Sequence, residues 1–299
     1  MCRLFGFRSS VVSRAHRSLI EAENALEEQA RHHQDGWGIG YFHGGDAYVL
    51  KSQEGAAGND SFRRASSRLA SQTFVVHVRR ATVGGVGPYN IHPFRHGRWL
   101  FAHNGTLHGF DRLRERLIKR IPGPMRDRVL GTTDTEMLFF YLLASLQDGG
   151  VASCGSGVTC GQRVGDALQE AMDDLYRATL AADVPPPIAN FILTNGSVFV
   201  ANRSGRDLFM ATQKDHCRDF ATCPAEKLCM RPTRPPPGEG DSRVNHLIVA
   251  SERIGDEDRW ESVPEGHMVV LSEDFRLDVR KPTPAWRPVE TAPPPIELR

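Results

Sequence analysis

Cys2 places a thiol on the second residue of the chain. Removal of Met1 would leave that thiol and a free α-amine on one residue, a nucleophile that carries its own base. A side-chain nucleophile is weak at its free pKa, and an α-amine with a reference pKa of about 7.7–8.0 can take its proton near neutral pH. By position alone the plainer reading is a buried strand cysteine, because free cysteine packs as a small hydrophobe. Arg3-Leu4-Phe5-Gly6-Phe7 alternates like an opening β-strand, which would hold the terminus in a sheet.

Five further segments carry groups that could serve such a nucleophile: His33-Gln34-Asp35-Gly36-Trp37-Gly38, His77-Val78-Arg79-Arg80-Ala81-Thr82, Asn90-Ile91-His92-Pro93-Phe94, Ala102-His103-Asn104-Gly105 and Thr132-Thr133-Asp134-Thr135-Glu136. Read singly, each has a plainer explanation. Asn104-Gly105 could be a turn between Phe101 and Leu107. Arg79 could be a solvated charge, and an acid such as Asp134 is stabilised in the first turn of a helix whatever its function.

In this order behind Met-Cys-Arg, the segments resemble the glutaminase domain of class II glutamine amidotransferases, which are N-terminal-nucleophile hydrolases. The resemblance spans residues 2 to 145. With Ile248-Val249-Ala250-Ser251-Glu252 and Val263-Pro264-Glu265-Gly266-His267 it is nearest to short stand-alone members without a fused synthase domain. It implies an α+β fold, a four-layer αββα sandwich of two antiparallel sheets between helical layers. It also implies Cys2 as nucleophile, with Asn104 and Gly105 as the oxyanion hole. Arg79, Thr82 and Asp134 are then the residues that hold the amino-acid end of a γ-glutamyl substrate. A planar guanidinium suits a carboxylate, and Asp134 would take the α-ammonium. Asp35, Gly36, Trp37, Asn90, His92 and His103 are supporting residues, with Asp35 expected to be buried. Two positions depart from the synthase-linked pattern: Arg80 stands where those members carry tryptophan, and His32-His33 replace an arginine.

The implied reaction is hydrolysis of a side-chain amide through a Cys2 thioester, with no metal and no organic cofactor. Glutamine with a separate ammonia-accepting synthase subunit as partner is one version. Hydrolysis of a γ-glutamyl amide of a thiol-related metabolite or peptide is the other, and a non-catalytic binding scaffold is the third alternative.

Composition fits a cytoplasmic enzyme. With 37 Lys and Arg against 36 Asp and Glu in 299 residues, nothing suggests nucleic acid as a partner. The longest apolar run, Met137 to Ala144, is far too short for a membrane span. Six cysteines without a secretory signal read as reduced thiols. His216, Cys217, Cys223 and Cys229 lack the tight pairs of structural zinc sites. Cys154 and Cys160 lie in a glycine-rich stretch where a disulfide and free thiols are both admissible. Gly84-Gly85-Val86-Gly87 lacks the strand-then-helix context of a phosphate loop and is expected to shape the substrate pocket.

The elements that must position these groups follow from periodicity. Helices are expected over Arg17–Arg31, Ser61–Leu69, Phe110–Ile118, from Thr133 onward with a capping-box spacing, and over 166–180. Strands are expected at 36–42, 47–50, 73–78, 99–103, 191–194, 197–200, 247–250 and 268–271, with Asn195-Gly196 as a hairpin turn. One domain over 2–280 is the expected organisation, with a flexible insertion at 149–165, a proline-rich loop at 231–242, and a proline-rich tail at 281–299 that packs poorly or wraps the surface.

Overall fold

The computed structural model describes residues 2–80, 87–151, 158–216 and 243–289. Thr82, Cys154, Cys217, Cys223, Cys229 and the loop at 231–242 lie outside them. The first sheet has seven antiparallel strands. In chain order these are β1 (Arg3–Ser13), β2 (Trp37–His43), β3 (Asp46–Ser52), β4 (Ser71–Val78), β9 (Phe209–Lys214), β10 (His246–Ala250) and β11 (Asp258–Ser262), arranged β11-β9-β10-β1-β4-β2-β3. The second sheet is made of β5 (Phe94–His96), β6 (Trp99–Thr106), β7 (Ile188–Thr194), β8 (Phe199–Asn202), β12 (Met268–Leu271) and β13 (Leu277–Arg280), arranged β13-β12-β8-β7-β6-β5.

Strand alternation divides the apolar residues among three cores. Leu4, Val75, Leu100, Ala102, Ile192 and Val249 meet between the sheets. Phe5, Val76 and Val78 point the other way, toward α1 (Leu26–Gln29) and α2 (Asp60–Arg68). Phe101 and Phe191 leave the second sheet on its far face, toward α3 (Phe110–Arg120), α5 (Asp134–Asp148) and α6 (Val158–Ala181), with α4 (Gly123–Arg126) between α3 and α5 in the chain. The layers are therefore helix, sheet, sheet, helix, as expected. Phe101 stacks on Phe139 of α5 with ring centroids 5.3 Å apart. Truncating either ring to alanine should cost about 3–5 kcal/mol. Gly6 lets the sheets approach closely, since a Cβ there would sit 2.6 Å from the side chains of Ile192 and Phe199.

Several expectations are corrected. The single helix over Arg17–Arg31 is broken into a π-turn at Arg17–Glu21, α1, and a 3-10 turn at Ala30–His32. Tertiary contacts win over periodicity there. Asn24 takes φ 55° and donates to the Arg253 carbonyl, and Gly255 N–H donates to the Glu23 carbonyl. The stretch 149–165 is not all irregular, because α6 already begins at Val158 and buries Cys160 and Val164 against α5. Cys160 is disulfide-bonded, where reduced thiols were the expectation from composition. The beginning of the proline-rich tail wraps the surface: Ala285 and Trp286 pack on the helical core, and Ala285 N–H donates to Asp173. No helix among the described residues is long and apolar enough to cross a membrane.

Candidate active site

The site is built where the ends of β1, β4 and β6 meet the N-terminus of α5. Arg3 pairs with Val78, which sets Cys2 against the residues that follow β4. Cys2 Sγ accepts from the Arg80 N–H and donates to the Arg80 carbonyl, both at 3.3 Å. Behind it, Leu4 N–H donates to Ser251 Oγ and Ser251 N–H to the Leu4 carbonyl, while Arg3 pairs with Glu252. The Ser251-Glu252 pair thus holds the strand that carries the thiol. Burial pushes the Cys2 thiol up. The Arg80 backbone, Arg79 and Arg206 pull the other way.

Asn104 and Gly105 are not a turn. Both lie within β6, in register with Asn190 and Ala189 of β7. Asn104 Nδ2 donates to the Cys2 carbonyl at 2.9 Å, which leaves its second amide proton for another acceptor. A Cβ on Gly105 would lie 1.9 Å from the Ile188 carbonyl oxygen and 2.3 Å from the His103 ring. Only glycine permits that strand contact.

Arg79 is buried. Its N–H donates to the Gly36 carbonyl at 2.8 Å, and its carbonyl accepts from Asp35 N–H at 3.3 Å. Gly36 needs its φ of 115°, and Gly38 needs its missing side chain, because a Cβ there would meet the His92 carbonyl at 2.1 Å. Trp37 is buried edge-on against Phe62 at 5.2 Å. Asp35 is half-buried rather than buried, following the exposed Gln34 in the chain.

Asn90 Oδ1 accepts from Thr132 N–H at 3.2 Å, bracing the loop that leads into α5. The rings of His77 and His92 meet at 4.2 Å, tilted by 42°, and burial keeps both neutral, lowering His77 to about 3 and His92 well below its usual value. His103 Nε2 lies 3.0 Å from the Ile188 carbonyl and Nδ1 2.9 Å from Thr135 Oγ1. A carbonyl only accepts, so Nε2 carries the proton and Nδ1 accepts the threonine hydroxyl. Both nitrogens are committed.

Thr133 caps α5, accepting from Glu136 N–H at 3.4 Å. The Glu136 carboxylate turns back to Leu130 and Gly131 N–H instead of closing the reciprocal box. Asp134 is buried, and its Oδ2 accepts from Leu107 N–H at 2.7 Å, tying the helix to the end of β6.

Cys2, Arg79, Asn90, His92, His103, Asn104, Gly105 and Asp134 all line one cavity of about 60 Å³. Asp35, Gly36 and Trp37 stand behind it. A far larger cavity, about 670 Å³ beside α5 and α6, holds none of these residues, so chemistry rather than size marks the site. Arg206, from the loop between β8 and β9, also lines the small cavity. Sequence reasoning missed it, because no local motif surrounds it and only the fold brings it to Cys2.

Residues 1–294 match the family described as class II glutamine amidotransferases. The chain belongs to that family. It is 24% identical to the probable glutamine amidotransferase DUG3 of Saccharomyces cerevisiae, over 93% of this chain and 83% of that one. It is 25% identical to the gamma-glutamyl-hercynylcysteine sulfoxide hydrolase of Mycobacterium tuberculosis, over 80% of this chain and 76% of the relative. A solved class II domain protein from Silicibacter pomeroyi shares the fold with a TM-score of 0.59 at 16% identity, covering 95% of this chain and all of the other.

Proposed function

We propose that the chain hydrolyses the side-chain amide of glutamine or of a γ-glutamyl compound through a thioester on Cys2, once Met1 has been removed. One observation carries this reading: Asn104 and Gly105 are held in a strand, facing the same small cavity as the Cys2 thiol. The raised thiol pKa means that Cys2 rests protonated and needs a base. The α-amine of the same residue is that base.

Cys2 Sγ attacks the amide carbon as its proton passes to the amine. The oxyanion takes the free Asn104 amide proton and the Gly105 N–H, donors aimed at charge that exists only in the tetrahedral species. The amine then protonates the leaving nitrogen. Water attacks the thioester and releases glutamate. Arg79 takes the substrate's α-carboxylate, with Thr82 assisting, and Asp134 takes its α-ammonium. Neutral His92 and His103 brace the site and move no proton.

The leaving group is ammonia in the glutamine version, with a separate synthase subunit to receive it. The similarity to a gamma-glutamyl-hercynylcysteine sulfoxide hydrolase supports the second version, in which a larger amine departs. Intact mass combined with a screen of glutamine and γ-glutamyl compounds for glutamate release tests the proposal. Active protein should begin at Cys2, and Cys2→Ala should release no glutamate while keeping its fold. Turnover by Cys2→Ala would overturn the mechanism.

A further inference from the structure

A second cleft opens where the two sheets end. β3 is an edge strand of the first sheet and β5 an edge strand of the second, and the first turns of α5 join them around a cavity of about 560 Å³. That is within the roughly 300–1,000 Å³ usual for small-molecule sites. The cleft shares chain segments with the Cys2 cavity but no residue. Tyr89, Pro93 and Glu136 line the cleft, whereas their neighbours Asn90, His92 and Thr135 line the cavity at Cys2.

Aromatic rings make its floor. Phe94, Phe139 and Phe140 are buried, and Phe94 stacks on Phe139 with centroids 6.4 Å apart. At the mouth, Tyr89 and Leu130 leave 59% and 63% of their surfaces exposed. Apolar surface gathered beside one cavity is surface that a ligand would remove from water.

The charge of the cleft is one-sided. Lys51, Arg95 and Arg128 line it against a single acid, Glu136, whose two oxygens already accept from Leu130 and Gly131 N–H. Lys51 Nζ lies 5.3 Å over the Phe94 ring, and Arg95 Nε donates to the Gly97 carbonyl at 3.1 Å. Among the described residues, none of the three cations forms an ion pair. Lys51 shares the inward face of β3 with Val49. Although it keeps contact with solvent, burial lowers its pKa to about 8, against the pull of Glu136. At neutral pH it is still mostly an ammonium, and a nearby anion would stabilise that form. His96 adds no charge, because burial and Arg128 both lower it. An inward lysine on an edge strand also discourages stray strand pairing. That role does not call for two arginines and two exposed apolar residues from other elements at the same cavity.

We infer that this cleft binds a small aromatic carboxylate, its ring against Phe94 and Phe140 beneath Tyr89 and its carboxylate toward Lys51 and Arg128. The ligand is held, not consumed. The site is separate from the γ-glutamyl cavity, and the inference does not rest on the hydrolase reading.

Isothermal titration calorimetry of the full chain with phenylacetate tests this, beside acetate, which has the charge without the ring, and 2-phenylethanol, which has the ring without the charge. Phenylacetate should bind at millimolar concentration or below, about tenfold more tightly than either comparison compound. Lys51→Gln and Arg128→Gln should each weaken it about tenfold, as for a lost charge-assisted hydrogen bond, and Lys51→Arg should recover part of the affinity. Both side chains reach solvent, and matching melting temperatures would show that the variants fold. Arg206→Gln, at the Cys2 cavity, should bind phenylacetate as wild type does. Wild type that binds phenylacetate no better than acetate would overturn the inference, as would unchanged affinity in either Lys51→Gln or Arg128→Gln. Binding lost in Arg206→Gln alone would put the anion at the Cys2 cavity and overturn it too. None of these outcomes bears on the hydrolase reading, which glutamate release tests by itself.

Discussion

The chain uses the dipeptide Asn-Gly twice on the same sheet, to opposite ends. At Asn195-Gly196 the asparagine serves its own backbone: Oδ1 accepts from Ser197 and Val198 N–H at 2.9 and 2.8 Å, and Gly196 takes φ 88°. At Asn104-Gly105 the chain stays extended, and the side-chain amide reaches across 102 residues of sequence to the Cys2 carbonyl. Gly105 is needed there for lack of bulk rather than for a left-handed φ. An Asn-Gly pair between strands signals a turn only when its hydrogen bonds have no better partner. β7, pairing with β6 through Ile188, supplies that partner at the site.

The largest effects should come from the extended pair. Gly105→Ala drives a Cβ into the Ile188 carbonyl, which is backbone and has little room to yield, so β6 must part from β7. Glutamate release should fall below detection, and the melting temperature should drop as well. Asn104→Ala separates catalysis from folding more cleanly. Removing one oxyanion donor typically costs about 100- to 1000-fold in kcat, so the loss should appear in kcat with KM little changed. Steady-state kinetics on the mature protein read this directly, and an unchanged kcat would reduce Asn104 to a clamp on the Cys2 backbone.

Much of this site was legible because its motifs are local. Asp35-Gly36-Trp37-Gly38, Asn90 with His92, and Thr133-Asp134 each stand together in a short stretch of sequence, although their partners, Arg79, Thr132 and Leu107, do not. Periodicity alone put Leu4 and Phe5 on opposite faces of β1. What could not be read depends on distant partners. The helix expected at Arg17–Arg31 is broken by the backbone of Arg253 and Gly255, more than 220 residues away. Arg206 is brought to Cys2 by Asn190, whose side chain gives no local sign of that task. The extended state of Asn104-Gly105 likewise required β7, which lies beyond α3, α4, α5 and α6 in the chain.

The two regions should also differ in acid. Behind the extended pair, the folded state keeps His77 neutral to about pH 3 and His92 neutral well below its usual range, whereas in the unfolded chain both titrate near 6.5. The unfolded state therefore binds more protons below about pH 6.5, and stability falls as pH drops from there toward the folded values. The slope is about 1.4 kcal/mol per pH unit for each such histidine. His246, buried on β10 and lowered to about 3, adds to the same slope. Urea unfolding between pH 5 and 7 should show a shallower pH dependence in His77→Gln than in wild type. Equal slopes would mean that His77 is already protonated in the folded protein.

The smallest effects should come from the turn. Gly196→Ala must hold an L side chain at φ 88° against the Phe42 ring, at a cost of about 1–2 kcal/mol for the backbone conformation. Asn195→Ala removes the Oδ1 that accepts both hydrogen bonds of its local turn, and a net hydrogen bond is worth about 1 kcal/mol. Neither residue approaches the cavity at Cys2. Both variants should therefore unfold at lower denaturant while folded enzyme retains its kcat and KM. The same asparagine-to-alanine change would then cost chemistry at position 104 and only stability at position 195. A fall in kcat for Asn195→Ala would show that the β7–β8 turn is coupled to the site, through β7 and its pairing with Asn104 of β6.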